Sequence, residues 1–218
     1  MISRNAVNGS NYKILKSIKY LLVIISLLLY ACESTPSNKE IVFTDTKDLF
    51  EYGAGIRADA KKGFEKRASK GDTIRLAHEK LFEYLPKSLK NCINDGSPVI
   101  LKNTIYNRVG QHFKYKDHRF LVSVTDFNNE FALFDDDIMI HTKSLPFEGS
   151  TEIRKAVKVG PHKGLFLYQQ SNIGTWGICN FWVDNRFIIG VDVELPKSKE
   201  TLDEILALID FSKMPKLN

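Results

Sequence analysis

The sequence predicts an α+β domain, an antiparallel sheet of about six strands built from hairpins and covered by an N-terminal and a C-terminal helix. Three observations predict it. Runs of alternating apolar and polar residues come in pairs around turn residues, the pattern of hairpins and hence of antiparallel pairing. One stretch before those runs, and one after them, places apolar residues at helical spacing. With 218 residues, 43% hydrophobic and 26% charged, the chain has material for one domain with a real core plus a tail.

The first segment stands apart from that domain. Between Lys19 and Cys32 lie twelve uncharged residues, "YLLVIISLLLYA". A bilayer-spanning helix needs about twenty apolar residues. A core helix would show a polar face, and here only Ser26 and the tyrosines interrupt. Lysines, a short apolar run and a small residue before a cut fit a secretory signal.

Within it, Leu29-Tyr30-Ala31-Cys32 resembles the lipobox of bacterial lipoproteins. The resemblance implies that residues 1–31 are a lipoprotein signal peptide and that Cys32, diacylglycerylated before the cut, is the mature N-terminus. Two or three acyl chains, at about 0.8 kcal/mol per buried methylene, hold a protein on a membrane without a spanning helix. The lysines precede the apolar run, so the rest of the chain is expected outside the cytoplasm, in the bacterial cell envelope. The membrane is then a partner through the lipid on Cys32, either inner or outer.

This reading changes the charge. The formal +5 suggests a polyanion-binding protein. Residues 1–32 hold Arg4, Lys13, Lys16 and Lys19 and no acid, and without those four the 31 basic side chains fall to 27 against 26 acidic ones. Nucleic acid is therefore not an expected partner. Lys61, Lys62, Lys66, Arg67 and Lys70 form the densest basic run and read as a solvated face.

The elements follow in order. Residues 32–71 read as the lipidated N-terminus and a tether, helical in part, because Gly53, Gly55 and Gly63 weaken a helix. A single α+β domain is expected over 72–218. Its first helix takes Asp72 as N-cap and Pro86 as stop, with Ile74, Ala77, Leu81, Phe82 and Leu85 on one face. "VGQHFKYKDHRFLVSVTDF" reads as a hairpin turning at Lys116 to His118. "NNEFALFDDDIMIHTKSLPF" holds a short helix or an irregular crossover. "IRKAVKV" and "LFLYQQ" flank "GPHKG", and "TWGICNFWV" and "RFIIGVDVEL" flank "DN", whose residues tolerate positive φ. Thr201 and Glu204 make a capping box for a last helix carrying Leu202, Ile205, Leu206 and Ile209. This layout is similar to the Mog1/PsbP-like fold of several bacterial envelope lipoproteins. That similarity implies a fold and no particular chemistry.

No catalytic residue stands out: G-x-S-x-G, H-E-x-x-H and Walker A patterns are absent from the sequence. Gly53-Ala54-Gly55 lacks the third glycine of a phosphate cradle. His78 has Phe82 four residues on, where a zinc helix needs a second ligand. Asp135, Asp136 and Asp137, with Asp126 and Glu130, offer oxygens to Ca²⁺, but the spacing is not that of a calcium loop, so an acidic solvated connection is expected. His112, His118, His141 and His162 have no carboxylate or cysteine at ligand spacing, so no metal and no cofactor is expected. Cys92 and Cys179 form an even pair in a disulfide-permissive compartment and read either as a bridge or as two buried thiols. Phe181 and Trp182 are neighbours and must face opposite sides of a strand, so a second helical layer is expected over the aromatics of the last hairpin.

The functional expectation is a membrane-anchored envelope lipoprotein acting as a binding or assembly module for an unknown protein partner, not an enzyme. Two alternatives remain open at this point. One is an immunity or inhibitor lipoprotein against a toxin. The other is an enzyme with a spatially assembled site, whose mark would be a polar cluster in a pocket with perturbed ionisable groups.

Overall fold

The structure, a computed structural model, describes residues 41–101, 106–128, 130–143, 151–159, 162–171, 174–194, 196 and 198–210. The signal segment and Cys32 lie outside the described residues, as do residues 160 and 161 of the "GPHKG" turn. In chain order the elements are β1 (Ile41–Phe43), α1 (Thr46–Ser69), α2 (His78–Phe82), β2 (Ile93–Asn94), β3 (Val99–Ile100), β4 (Asn107–Tyr115) and β5 (His118–Asp126). There follow α3 (Phe131–Lys143), β6 (Thr151–Val159), β7 (His162–Ser171), β8 (Gly174–Val183), β9 (Phe187–Glu194) and α4 (Lys199–Leu206).

The three hairpins are present as β4–β5, β6–β7 and β8–β9, all antiparallel. They join in one sheet of order β1-β6-β7-β8-β9-β5-β4-β2, with β3 also on β4, so the described strands number nine rather than about six. The additional three are runs of two or three residues at the rims, too short to show alternation. They cap the outer edges of β6 and β4, which would otherwise present unpaired backbone groups.

Turn chemistry sets the register. Lys116 adopts φ 53° and Tyr115 pairs with His118, so Lys116 and Asp117 alone make the first turn and His118 already belongs to β5. Asp184 and Asn185 take φ 50° and 54°, and the Arg186 N–H donates to the Val183 carbonyl at 3.1 Å, a turn of the primed kind that follows strand twist. The Arg67 guanidinium at the end of α1 donates to the carbonyls of both turn residues, 3.2 Å to Asp184 and 2.7 Å to Asn185.

Alternation along the long strands gives the sheet two apolar faces. On one, Val109, Phe113, Phe120, Val122, Phe181 and Val191 pack with Leu81 of α2 and with Leu202 and Ile205 of α4. On the other, Leu165, Trp182 and Ile188 lie under Leu49, Ile56, Ala60 and Phe64 of α1 and Phe134 and Ile138 of α3. The molecule is helix, sheet, helix in three layers. The expected helical cover over Trp182 is thus present, while Trp176 stays exposed.

Three sequence expectations need correction. Residues 46–69 are not a tether: they form a 24-residue helix, N-capped by the Asp45 side chain accepting from the Lys47 N–H at 2.8 Å, with one face in the core. The compact unit accordingly runs Glu40–Asn218, not from 72. The helix expected from Asp72 shrinks to His78–Phe82, and Ile74 is 80% exposed. Asp72 does not cap it. Its carboxylate accepts from Arg186 and Asn128, and those two side chains also donate to the Ile74 carbonyl at 3.1 and 2.9 Å. With the Leu76 N–H bound to Asp126 at 2.7 Å, the backbone of 72–76 has partners that a helix would deny it. Finally, α4 begins at Lys199, two residues before Thr201, and Glu204 reaches Lys116 at 2.6 Å instead of closing a capping box.

Cys92 and Cys179 are free thiols, Cys179 wholly buried on β8 and Cys92 packed at the margin of the same core, so the bridged alternative is not realised here. Among the described residues, no helix is long and apolar enough to cross a membrane.

Candidate functional site

The face of the sheet beneath α3 is interrupted by a polar row. Register places Ser123 of β5 beside Gly190 of β9, and Gly190 beside Asn180 of β8. Arg108 of β4 and Asp192 of β9 flank the row on the same face. Gly190 makes the floor: a Cβ there would meet the Ser123 Oγ at 2.9 Å and the Asn180 Oδ1 at 3.3 Å. A hollow of about 220 Å³ opens above it, and Tyr106 and Phe127, whose rings lie 5.0 Å apart, stand at one wall.

The other wall is α3. Asp137 and His141, four residues apart, fall on one helical face and point into the hollow. The His141 Nδ1 lies 2.7 Å from the Asp137 backbone carbonyl, an acceptor, so in the neutral ring the proton sits on Nδ1. The Nε2 is then free to accept from the Asn180 amide at 3.2 Å. The Asp137 carboxylate accepts from the Trp182 indole N–H at 3.2 Å and stands 3.7 Å from the His141 Nδ1. Arg154 of β6 donates to the His141 carbonyl at 2.8 Å and braces this end of the helix.

Across the hollow, the Arg108 Nη2 donates to the Ser123 Oγ at 2.9 Å and to the Asp192 Oδ2 at 3.3 Å. The Arg108 Nε is buried and has no partner among the described residues. Burial pushes the carboxyls of Asp137 and Asp192 above the ordinary Asp range. Arg108 opposes the rise at Asp192, and His141 followed by the Trp182 N–H opposes it at Asp137. The recess therefore disfavours further negative charge while presenting both donors and acceptors.

Two larger hollows lie elsewhere, one mainly apolar and one lined by exposed charged side chains, among them the Lys163–Asp59 pair at 3.1 Å. One, of about 400 Å³, has Val122, Val124 and Ile189 as its floor and Lys87 and Lys90 on its rim. The other, of about 460 Å³, lies along α1 between Lys62, Lys66 and Asp184.

The residues singled out from sequence scatter. Asp135, Asp136 and Asp137 are consecutive on α3 and diverge: Asp135 holds Arg57 at 2.9 Å, Asp136 faces solvent, and Asp137 enters the recess. They do not form the solvated connection expected, nor do they converge on a cation. Asp126 is bound to Arg186 at the end of β5. Lys61, Lys62, Lys66 and Lys70 are exposed along α1, whereas Arg67 is drawn to the 184–185 turn. Among the described residues, no group of three or more His, Cys, Asp or Glu side chains is placed to hold a metal ion.

Arg108, Ser123, Asp137, His141, Asn180 and Asp192 escaped the sequence reading as a site. One signal was present: Asp137 and His141 have the i, i+4 spacing of a helix face, visible once 131–143 is read as helical. Chemically the recess can bind a polar molecule through Arg108, Asn180 and the two carboxylates, while the Asp137 carboxylate and the His141 Nδ1, 3.7 Å apart, share no hydrogen bond along which a proton would pass. Ser123 is not set up as a nucleophile, because its hydroxyl accepts from a cation and has no base beside it among its hydrogen-bond partners. Burial pushes the thiols of Cys92 and Cys179 up and keeps them protonated near neutral pH.

Comparison with protein-family models, with curated proteins and with solved structures yields no match.

Proposed function

We propose that this protein is a bacterial envelope lipoprotein, held to the membrane by lipid on Cys32, whose domain works as a binding or assembly module rather than as an enzyme. The anchor rests on the lysines, the apolar run and Leu29-Tyr30-Ala31-Cys32. The observation that carries the binding role is the recess under α3, where one guanidinium, two carboxylates and an amide converge and the hydroxyl at its floor, Ser123, is held by Arg108. Such a set orients a ligand and does not activate a nucleophile.

Labelled palmitate is expected to enter the protein, and incorporation that survives Cys32→Ala sinks the anchor. For the binding role, a photoreactive residue in place of Ile140, an exposed position on α3 beside His141, is expected to capture a defined envelope partner in living cells. Capture of nothing but lipid overturns it. The recess is also a polar cluster in a pocket with shifted carboxyls at Asp137 and Asp192, the mark of an enzyme with a spatially assembled site, and that is the second reading, with Asp137 and His141 its nearest candidates. Photocapture that proceeds in full with both changed to Ala and Asn separates binding from that alternative.

A further inference from the structure

We propose that the recess between α3 and the sheet takes one uncharged sugar unit, the end or a side branch of an envelope glycan; this deepens the binding reading above and depends on it. Size comes first. Pockets for drug-sized ligands run roughly 300–1,000 Å³. A hollow of about 220 Å³ suits a single ring with its substituents and not an extended chain.

Charge selects next. Arg108 is already matched by Asp192 at 3.3 Å, and Asp137 has the Trp182 N–H at 3.2 Å and His141 beside it. An anionic ligand would face two carboxylates, and a cationic one would have to take carboxylates already engaged by Arg108 and the Trp182 N–H while lying beside the guanidinium, both in a partly dry site where unmatched charge is costly. A neutral ligand avoids either conflict.

It must nevertheless bond to donors and acceptors at once. Arg108 and Asn180 donate, and Asp192 and Asp137 accept, around a floor that Gly190 keeps open. Vicinal sugar hydroxyls meet this demand because each can donate and accept. The Tyr106–Phe127 pair and Ile188 supply an apolar wall for the C–H face of the ring.

Saturation-transfer NMR on the full chain, in a detergent without a sugar headgroup, tests this. The probes are glucose, galactose, N-acetylglucosamine, glucuronate and alanine, each at about 10 mM, where contacts of about millimolar strength still register. At least one neutral sugar is expected to take up saturation, and glucuronate and alanine are not. Arg108→Gln and Asp192→Asn should each weaken that binding roughly tenfold or more. Lys66→Gln, in the hollow along α1, should leave it unchanged. Thermal unfolding of both recess variants confirms that they remain folded.

Neutral sugar binding that ignores both recess variants overturns the location. Binding of alanine or glucuronate that Arg108→Gln abolishes overturns the ligand class and leaves the recess as a binding site. Silence from every probe overturns the sugar proposal, and photocapture at position 140 then decides the binding reading separately.

Discussion

Arg186 holds Asp126, Asp72 and the Ile74 carbonyl at once. It is 3% exposed, and its Nε and Nη2 each lie 2.8 Å from an oxygen of Asp126, which is 0% exposed. The same carboxylate accepts the backbone N–H groups of Leu76 and Asn128. Removing one partner of a buried pair strands the other without solvent, which costs about 3–5 kcal/mol. Asp126→Ala should therefore lower the urea midpoint by that amount of unfolding free energy, with Asp126→Asn lower in cost because the amide oxygen still accepts. A loss below about 1 kcal/mol for Asp126→Ala would show that water reaches Arg186. Asp137 gives a pH signature instead. Its folded pKa is raised by burial, so the folded state binds more protons than the unfolded chain. Stability then falls as pH climbs from the unfolded value, near 3.8, to the raised folded one, and levels off above it. Asp137→Asn removes this contribution while its amide oxygen can still accept from Trp182. The stability difference, variant minus parent, should grow in the variant's favour as pH rises above the unfolded value and then level off, in denaturant titrations. A difference independent of pH refutes the burial of that carboxylate.

At the scale of elements, α1 shows how two glycines on one helix do opposite work. A Cβ on Gly53 would stand 2.5 Å from the Thr142 Oγ1 of α3, whereas a Cβ on Gly55 meets nothing within 4 Å. Gly53→Ala should destabilise by about 1–3 kcal/mol through overpacking. Gly55→Ala should stabilise by about 0.5–1 kcal/mol through helix propensity alone. Adding Thr142→Ala to Gly53→Ala should recover much of the loss, a coupling that thermal unfolding of the four-protein cycle measures directly. The same glycines give α1 the sequence pattern of a tether. Its core positions are Leu49, Gly53, Ile56, Ala60 and Phe64, a helical spacing in which two of five side chains are too small to register as apolar. The error at residues 72–77 runs the other way. Ile74 and Ala77 continue a helical pattern, yet Arg186, Asn128 and Asp126, all distant in sequence, hold that backbone by hydrogen bonds. The hairpins were legible because alternation and turn residues are local signals, and Leu202 and Ile205 of α4 were legible for the same reason. Arg108, Ser123, Asn180 and Asp192 are visible in sequence only as the polar members of alternating strands. Their convergence needs the pairing of β5 with β9, a partner more than sixty residues away, which no local pattern encodes.

For the whole molecule, the three layers decide what can fold alone. If α1 were a tether, a chain beginning at Asp72 would keep a complete core. The structure places Leu165, Trp182, Ile188, Phe134 and Ile138 in one cluster with Leu49, Ile56 and Phe64, so removing α1 uncovers that face of the sheet and the inner side of α3. Each of those large apolar side chains gains about 1.5–3 kcal/mol from burial, and losing several exceeds the 5–15 kcal/mol by which a domain of this size is stable. The recess would suffer too, since α3 carries Asp137 and His141 and packs on α1 through the Gly53–Thr142 contact. A chain beginning at Glu40 is expected to unfold in one cooperative transition with the midpoint of the full chain. A chain beginning at Asp72 is expected to lose near-ultraviolet circular dichroism, bind a hydrophobic dye and melt without cooperativity. Equal midpoints for the two would mean that α1 only rests on the domain, and would return residues 46–69 to the role that their glycines first implied.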